Sequence, residues 1–172
     1  TRRLPPEILT VGVFRDEHPE RVIDTVHRAG LKAAQLHGHE SPEMVQEVVA
    51  SVRWVIKAVV AGTRDAQRAD QFGTDLILVD APAPGSGRVF DWSLVDDVAP
   101  GPRIILAGGL NPNNVAEAVH IVQPWGVDVS SGVERSPGRK DALKVKAFIE
   151  RARSACASMM SRAERDMVSC LC

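Results

Sequence analysis

Three groups of residues in this 172-residue chain have the types and spacing for chemistry on a small molecule. The first is Asp80, which closes the apolar run Leu76 to Val79. A carboxyl at the C-terminal end of a buried parallel strand points into the mouth where (β/α) folds carry out their reactions. Partial desolvation there would raise its pKa and keep it protonated near neutrality, as a general acid requires. The alternative is a strand-end Asp that caps the next turn. The second group is a pair of small-residue turns, Gly108-Gly109 after Ile104 to Leu106, and Ser130-Ser131-Gly132 after Val127 and Val129. Such turns offer backbone N–H groups to a ligand. Two of them after consecutive strands point to a phosphate dianion, helped by the serine hydroxyls and by helix N-termini. One alone would read as an ordinary chain reversal.

The third group is polar residues at the same strand ends. His37 follows Ala33 to Leu36, and it either lines the site or is structural. Strand alternation sets Asp128 opposite Val127 and Val129, hence inside the fold or on its helix side, where it orients substrate or bonds to backbone. Gly85 and Gly87 lie in a loop after Asp80 that reads as a lid or as a plain connector. Lys57 interrupts the apolar strand Trp54 to Val60 and is expected to face inward and pair with a carboxylate rather than form a Schiff base. The histidines supply no third ligand for a metal site.

The elements that must position these residues alternate with a regular rhythm. Strands are expected at Thr10–Phe14, Ala33–Leu36, Trp54–Val60, Leu76–Val79, Ile104–Leu106 and Val127–Val129. Between them, Val22, Ile23, Val26 and Ala29 make a helical stripe closed by Gly30. Ser41-Pro42-Glu43 starts a second helix, whose buried face is Met44, Val45, Val48, Val49 and Val52. A weak polar helix runs from Thr63 to Gln71 and a short one from Trp92 to Val98. Asn111 or Asn113 caps a helix carrying Val115, Ala118, Val119 and Val122, with Pro112 in its first turn. The last strong helix is expected from Lys140 to about Arg153, with Val145, Phe148, Ile149 and Ala152 inward. Apolar strands without in/out alternation indicate a parallel sheet covered on both faces. The fold class is α/β, of (β/α)8 TIM-barrel type, with about six βα units. Residues 1–155 form this partial barrel, and residues 156–172 are a C-terminal tail that either extends the last helix or is a non-native end.

Composition limits the partners. Net charge is −1 with 44% hydrophobic residues, and no basic block is present, so neither nucleic acid nor an anionic membrane is expected. Cys156, Cys170 and Cys172 match neither a zinc pattern nor a disulfide framework, and a cytoplasmic location is the expectation.

The runs VGVF from Val11, QLHG from Gln35, VIKAV from Val55, GSG…FDW from Gly85 to Trp92, GGLNPNNV from Gly108, VDVSSGVE from Val127 and PGRKD from Pro137 occur together in order. In this arrangement the chain resembles phosphoribosylanthranilate isomerase of tryptophan biosynthesis. The resemblance implies a (β/α)8 barrel that converts N-(5′-phosphoribosyl)anthranilate to 1-(2-carboxyphenylamino)-1-deoxyribulose 5-phosphate by an Amadori rearrangement, without a cofactor. It implies that Asp80 is the general acid. The family's general base is a cysteine in a KxCG motif, and an arginine after the second strand helps bind the anthranilate. This chain opens where the family's second helix meets its third strand, so the first two βα units and both those residues are expected to be absent. The tail cysteines do not stand in that motif. Open sheet edges at Val11–Phe14 and Val127–Val129 would favour a homo-oligomer. The alternatives are a truncated barrel that keeps phosphate binding without turnover, and another phosphate-binding barrel such as indole-glycerol-phosphate synthase.

Overall fold

The computed structural model describes residues 4–5, 7–82 and 91–159. Six strands form one sheet in chain order: β1 (Val11–Phe14), β2 (Ala33–Leu36), β3 (Trp54–Val60), β4 (Leu76–Asp80), β5 (Arg103–Leu106) and β6 (Gly126–Val127). β1 pairs with β2, β2 with β3 and β5 with β6, each in parallel. Parallel neighbours need a crossover, and helices between the strands supply it. The succession is that of a (β/α)-barrel-type fold. The chain divides into two compact units, one of Thr1–Val59, Thr63–Leu78 and Val98–Arg103, the other of Val60–Gly62, Val79–Asp97 and Ile104–Cys172.

In the first unit α1 (Pro19–Ala29) starts with proline in its first turn and ends at Gly30, whose φ of 65° lets the chain turn back. Leu31 N–H then donates to Val26 O at 2.9 Å, which satisfies a carbonyl the helix leaves open. Helix α2 (Pro42–Val49) begins as expected, with Ser41 Oγ accepting the Met44 N–H. α1 and α2 pack together, and Val22, Val26, Val45, Val48 and Val52 are buried with Ala33, Ala34 and Leu36 of β2. Each such side chain contributes about 1.5–3 kcal/mol on full burial. Two faces are narrower than their periodicity indicates. Ala29 is exposed and Val49 partly so, because each lies at the helix end, where the turn leaves the sheet. The weak third helix splits into α3 (Arg64–Gln67) and a 3-10 turn (Ala69–Phe72), both in this unit. Arg68 interrupts it, held to Asp65 at 2.7 Å, while Ala66 and Ala69 are fully buried.

The second unit departs further from expectation. Trp92–Asp97 is a 3-10 helix. The helix after Gly109 is α4 (Val115–Val122) and starts after Asn114, not at Asn111 or Asn113. Asn111 Oδ1 accepts the Asn113 N–H, and Asn114 Oδ1 accepts the Asn111 N–H, both at 2.8 Å. These side-chain bonds stabilise a turn that competes with an earlier helical start. β6 stops at Val127, so Val129 is not in a strand. An unexpected hairpin follows, β7 (Glu134–Ser136) and β8 (Arg139–Lys140). Lys140 therefore lies in a strand, and α5 runs over Ala142–Met159. Asp141 Oδ1 accepts the N–H groups of Leu143 and Lys144, which is why the helix begins there. α5 packs on α4, with Phe148, Ala152 and Ala155 buried. Among the described residues no helix is long and apolar enough to cross a membrane.

Candidate active site

In the second unit, main-chain close approaches bring the acid and both turns together. Asp80 is half-buried at the end of β4, and its Oδ1 accepts the Ala81 N–H at 2.8 Å. A methyl group at Gly108 would stand 2.6 Å from the Ala81 nitrogen, so the first turn lies directly against the Asp80–Ala81 peptide. Gly108 also has φ of 83°, which a side chain would strain. A methyl group at Gly132 would stand 1.9 Å from Leu110 O, so the second turn lies against the first.

Side chains hold the carbonyls of both turns. Gly109 O accepts from Asn114 Nδ2 at 3.1 Å and from Asn111 Nδ2 at 3.4 Å. Ser130 O accepts from Lys140 Nζ at 2.7 Å. In a trans peptide the C=O and the following N–H point in opposite directions. Tying these carbonyls down therefore aims the Leu110 and Ser131 N–H groups the other way. The N-terminus of α4 is less open than expected, since the amides of Asn111, Asn113, Asn114 and Val115 are all bonded within the turn. Lys140 also pairs with Glu134 at 2.9 Å, and this hydrogen bond holds the Glu134 carboxyl below its ordinary pKa.

Asp128 is corrected in its placement. Its N–H donates to Leu106 O at 2.8 Å, but its side chain is exposed rather than inside the fold, because the strand ends one residue earlier and the alternation no longer holds. Ser130 and Ser131 are exposed and Gly132 half-buried. Gly85 and Gly87, with the lid reading, lie outside the described residues, as do Cys170 and Cys172.

The first unit has its own cluster at the end of β2, beside the middle of β3. Lys57 is buried, as its setting in an apolar strand required, and its partner is Glu40 at 2.9 Å. Glu40 was not identifiable as a site residue from sequence; its only signal was that a buried lysine needs a carboxylate. The Glu40 oxygens accept the N–H groups of Asp16 (3.0 Å) and Gly38 (3.1 Å). His37 is half-buried, with Nδ1 2.7 Å from Gln35 Nε2. His39 is exposed and pairs with Asp16 at 3.4 Å.

Burial alone would raise the Glu40 pKa, but the hydrogen bond and charge of Lys57, with backbone N–H groups, outweigh it and hold the carboxyl below its ordinary 4.5. A carboxyl with a depressed folded pKa stabilises the fold above its unfolded value and loses that contribution as pH falls through the folded value. Stability is therefore expected to be level from neutrality to near 4.5 and to decline below it. Urea denaturation across acidic pH measures this, and a midpoint that rises on acidification contradicts it.

Comparison with known proteins decides the family. The family model of N-(5′-phosphoribosyl)anthranilate (PRA) isomerase matches residues 2–151. This chain belongs to the N-(5′-phosphoribosyl)anthranilate isomerase family. The isomerase of Desulforudis audaxviator (strain MP104C) is 46% identical over 90% of this chain and 77% of its own. The phosphoribosyl anthranilate isomerase structure from Thermus thermophilus superposes with a TM-score of 0.80 at 38% identity, covering 89% of this chain and 76% of that one. A phosphoribosyl anthranilate isomerase in complex with reduced 1-(o-carboxyphenylamino)-1-deoxyribulose 5-phosphate matches with a TM-score of 0.75 at 40% identity, covering 89% and 75%. The reaction is the phosphoribosylanthranilate isomerase step of tryptophan biosynthesis.

Proposed function

We propose that Asp80 is the general acid of this isomerase and that the Gly108-Gly109 and Ser130-Ser131-Gly132 turns bind the 5′-phosphate of N-(5′-phosphoribosyl)anthranilate. The observation that supports this most is the close approach of Gly108 to Ala81 and of Gly132 to Leu110, which puts the carboxyl and two turns with fixed carbonyls side by side. Asp80 protonates the furanose ring oxygen, and the C1′–O bond breaks as the anilino nitrogen lone pair forms the imine. A base then takes the C2′ proton, the C–H electrons form the C1′–C2′ double bond as the imine electrons return to nitrogen, and the resulting enolamine tautomerises to the ketone. No electrons enter or leave overall, so the step needs no redox partner. The Leu110 and Ser131 N–H groups, with the serine hydroxyls, hold the phosphate. Asp128 acts as a substrate contact.

The test is loss of anthranilate fluorescence when the protein meets freshly made phosphoribosylanthranilate. Gly132→Ala pushes the second turn off Leu110. It is expected to raise KM by about 10- to 100-fold, as loss of one or two charge-assisted hydrogen bonds does, with kcat largely kept. A KM within twofold of the wild type removes this turn from the phosphate site. Protein that binds inorganic phosphate but never quenches the fluorescence overturns the reading as a whole.

The edge strand β1 exposes Val11 and Val13, the latter 65%. An apolar strand edge supports self-association. Sedimentation velocity is expected to show a dimer or larger species, and a monodisperse monomer counts against it.

A further inference from the structure

We propose that helix α5 sets both phosphate turns from behind, with Arg151 as the positioning residue of the first turn and Lys144 as that of the second. This rests on the reading of the two turns as the site of the 5′-phosphate. Arg151 Nη1 donates to Pro112 O and, at 3.0 Å, to Asn113 Oδ1. The Asn113 N–H donates to Asn111 Oδ1 at 2.8 Å, and Asn111 Nδ2 donates to Gly109 O at 3.4 Å. The peptide at the end of this route carries the Leu110 N–H. On the other side, Lys144 Nζ donates to Glu134 O at 2.7 Å. The Glu134 carboxylate holds Lys140 Nζ at 2.9 Å, and Lys140 Nζ donates to Ser130 O at 2.7 Å. The peptide at that end carries the Ser131 N–H. Each route runs from α5 to the carbonyl on the reverse side of an N–H assigned to the phosphate.

One helix can serve both turns because of where these residues stand on it. Lys144 and Arg151 are two helical turns apart, so they share a face of α5 with about 10 Å between them along the axis. Phe148 and Ala155 continue the same stripe and are buried, and α5 packs on α4. The apolar members of the stripe fix the helix, and its two cations reach past the packed face to the turns. Both are exposed, so neither fills the core. Lys146 differs: it pairs with Glu150 at 3.8 Å on the helix itself. Exposed cations contribute little to stability, whereas a cation that holds a carbonyl or a turn side chain fixes which way a peptide faces.

The test titrates inorganic phosphate into the protein, followed by amide proton–nitrogen spectra at Leu110 and Ser131 and by competition against turnover of phosphoribosylanthranilate. Arg151→Met and Lys144→Met keep most of each side-chain stem and remove its donors. Each is expected to weaken phosphate binding and raise KM by about 3- to 10-fold, the worth of one or two ordinary hydrogen bonds, with kcat kept. Before phosphate is added, Arg151→Met is expected to shift chiefly the Leu110 amide and Lys144→Met chiefly the Ser131 amide. The two routes share no group, so the double variant is expected to lose the product of the two factors. Lys144→Arg, which keeps a donor, is expected to recover most of the loss. Lys146→Met removes the same charge from the same helix and is expected to bind phosphate as the wild type does. Equal weakening in Lys146→Met overturns the positioning roles, because charge alone then accounts for the effect. A loss in kcat with KM unchanged overturns them as well. If phosphate moves both amides in the wild type and binds Arg151→Met and Lys144→Met equally well, the positioning roles alone fall. If phosphate moves neither amide in the wild type, the phosphate reading falls and the positioning roles fall with it.

Discussion

Asp80→Asn is expected to lower kcat by about 10²- to 10⁴-fold, the usual worth of a positioned general acid, with KM little changed. The substitution isolates proton donation from structure. Asn keeps an oxygen that accepts the Ala81 N–H, now 2.8 Å from Asp80 Oδ1, so the turn against Gly108 stays in place. It has no acidic proton for the ring oxygen. Ring opening, in which a poor leaving group must depart, carries the loss, whereas the phosphate turns still bind. The measurement is steady-state fluorescence decay on phosphoribosylanthranilate, with circular dichroism to show that the fold is unchanged. A kcat within threefold of the wild type would mean that Asp80 only caps its turn and that the acid lies elsewhere.

Lys57→Met is expected to destabilise the protein by about 3–5 kcal/mol, the cost of leaving one buried charge of a pair without its partner. The Glu40 side chain is 2% exposed, so water cannot replace the ammonium. Adding Glu40→Gln should recover most of the loss, because replacing both partners by groups of similar volume is often close to neutral. The single variant should also reverse the response to acid. In the wild type the Glu40 carboxyl is held below 4.5 and its stabilisation disappears as pH falls. Without Lys57, burial dominates and raises the folded pKa above the unfolded one, so the carboxyl stabilises when protonated and stability declines as pH rises through the folded value. Urea titrations of both variants at acidic and neutral pH separate these cases. A single-variant loss under about 1 kcal/mol would show that the pair is solvated in solution, as surface pairs are.

The strands and the order of the fold were readable because parallel strands covered on both faces appear as nearly continuous apolar runs, as in Trp54–Val60, interrupted by Lys57, and in Leu76 to Val79 ahead of Asp80. The start of α2 was readable because Ser41 and Pro42 carry local chemistry that needs no tertiary partner. Lys57 could be assigned a carboxylate partner for a similar reason: a charge among Val55, Ile56, Ala58 and Val59 must be neutralised. Which carboxylate it was could not be read, since Glu40 is 17 residues away and reaches it through a turn. The helix start at Asn114 was missed because three asparagines at 111, 113 and 114 offer competing turns, and the bonds that choose among them depend on geometry. Asp128 was misplaced by applying strand alternation one residue past the end of β6. The β7–β8 hairpin is short, polar and exposed, so it has no apolar period to announce it. The glycine and serine turns were visible as composition. The tethers on their carbonyls, from Asn111, Asn114 and Lys140, were not, because they are set by side-chain direction.

The close approaches at Gly108 and Gly132 also bear on how this protein tolerates genetic change. At both positions the fold depends on atoms that are missing, and glycine is the one amino acid without a Cβ. Every amino-acid replacement that a nucleotide change can produce in those two codons therefore adds an atom where main chain already stands. There is no conservative neighbour to drift through, so a gene of this kind is pinned at these codons.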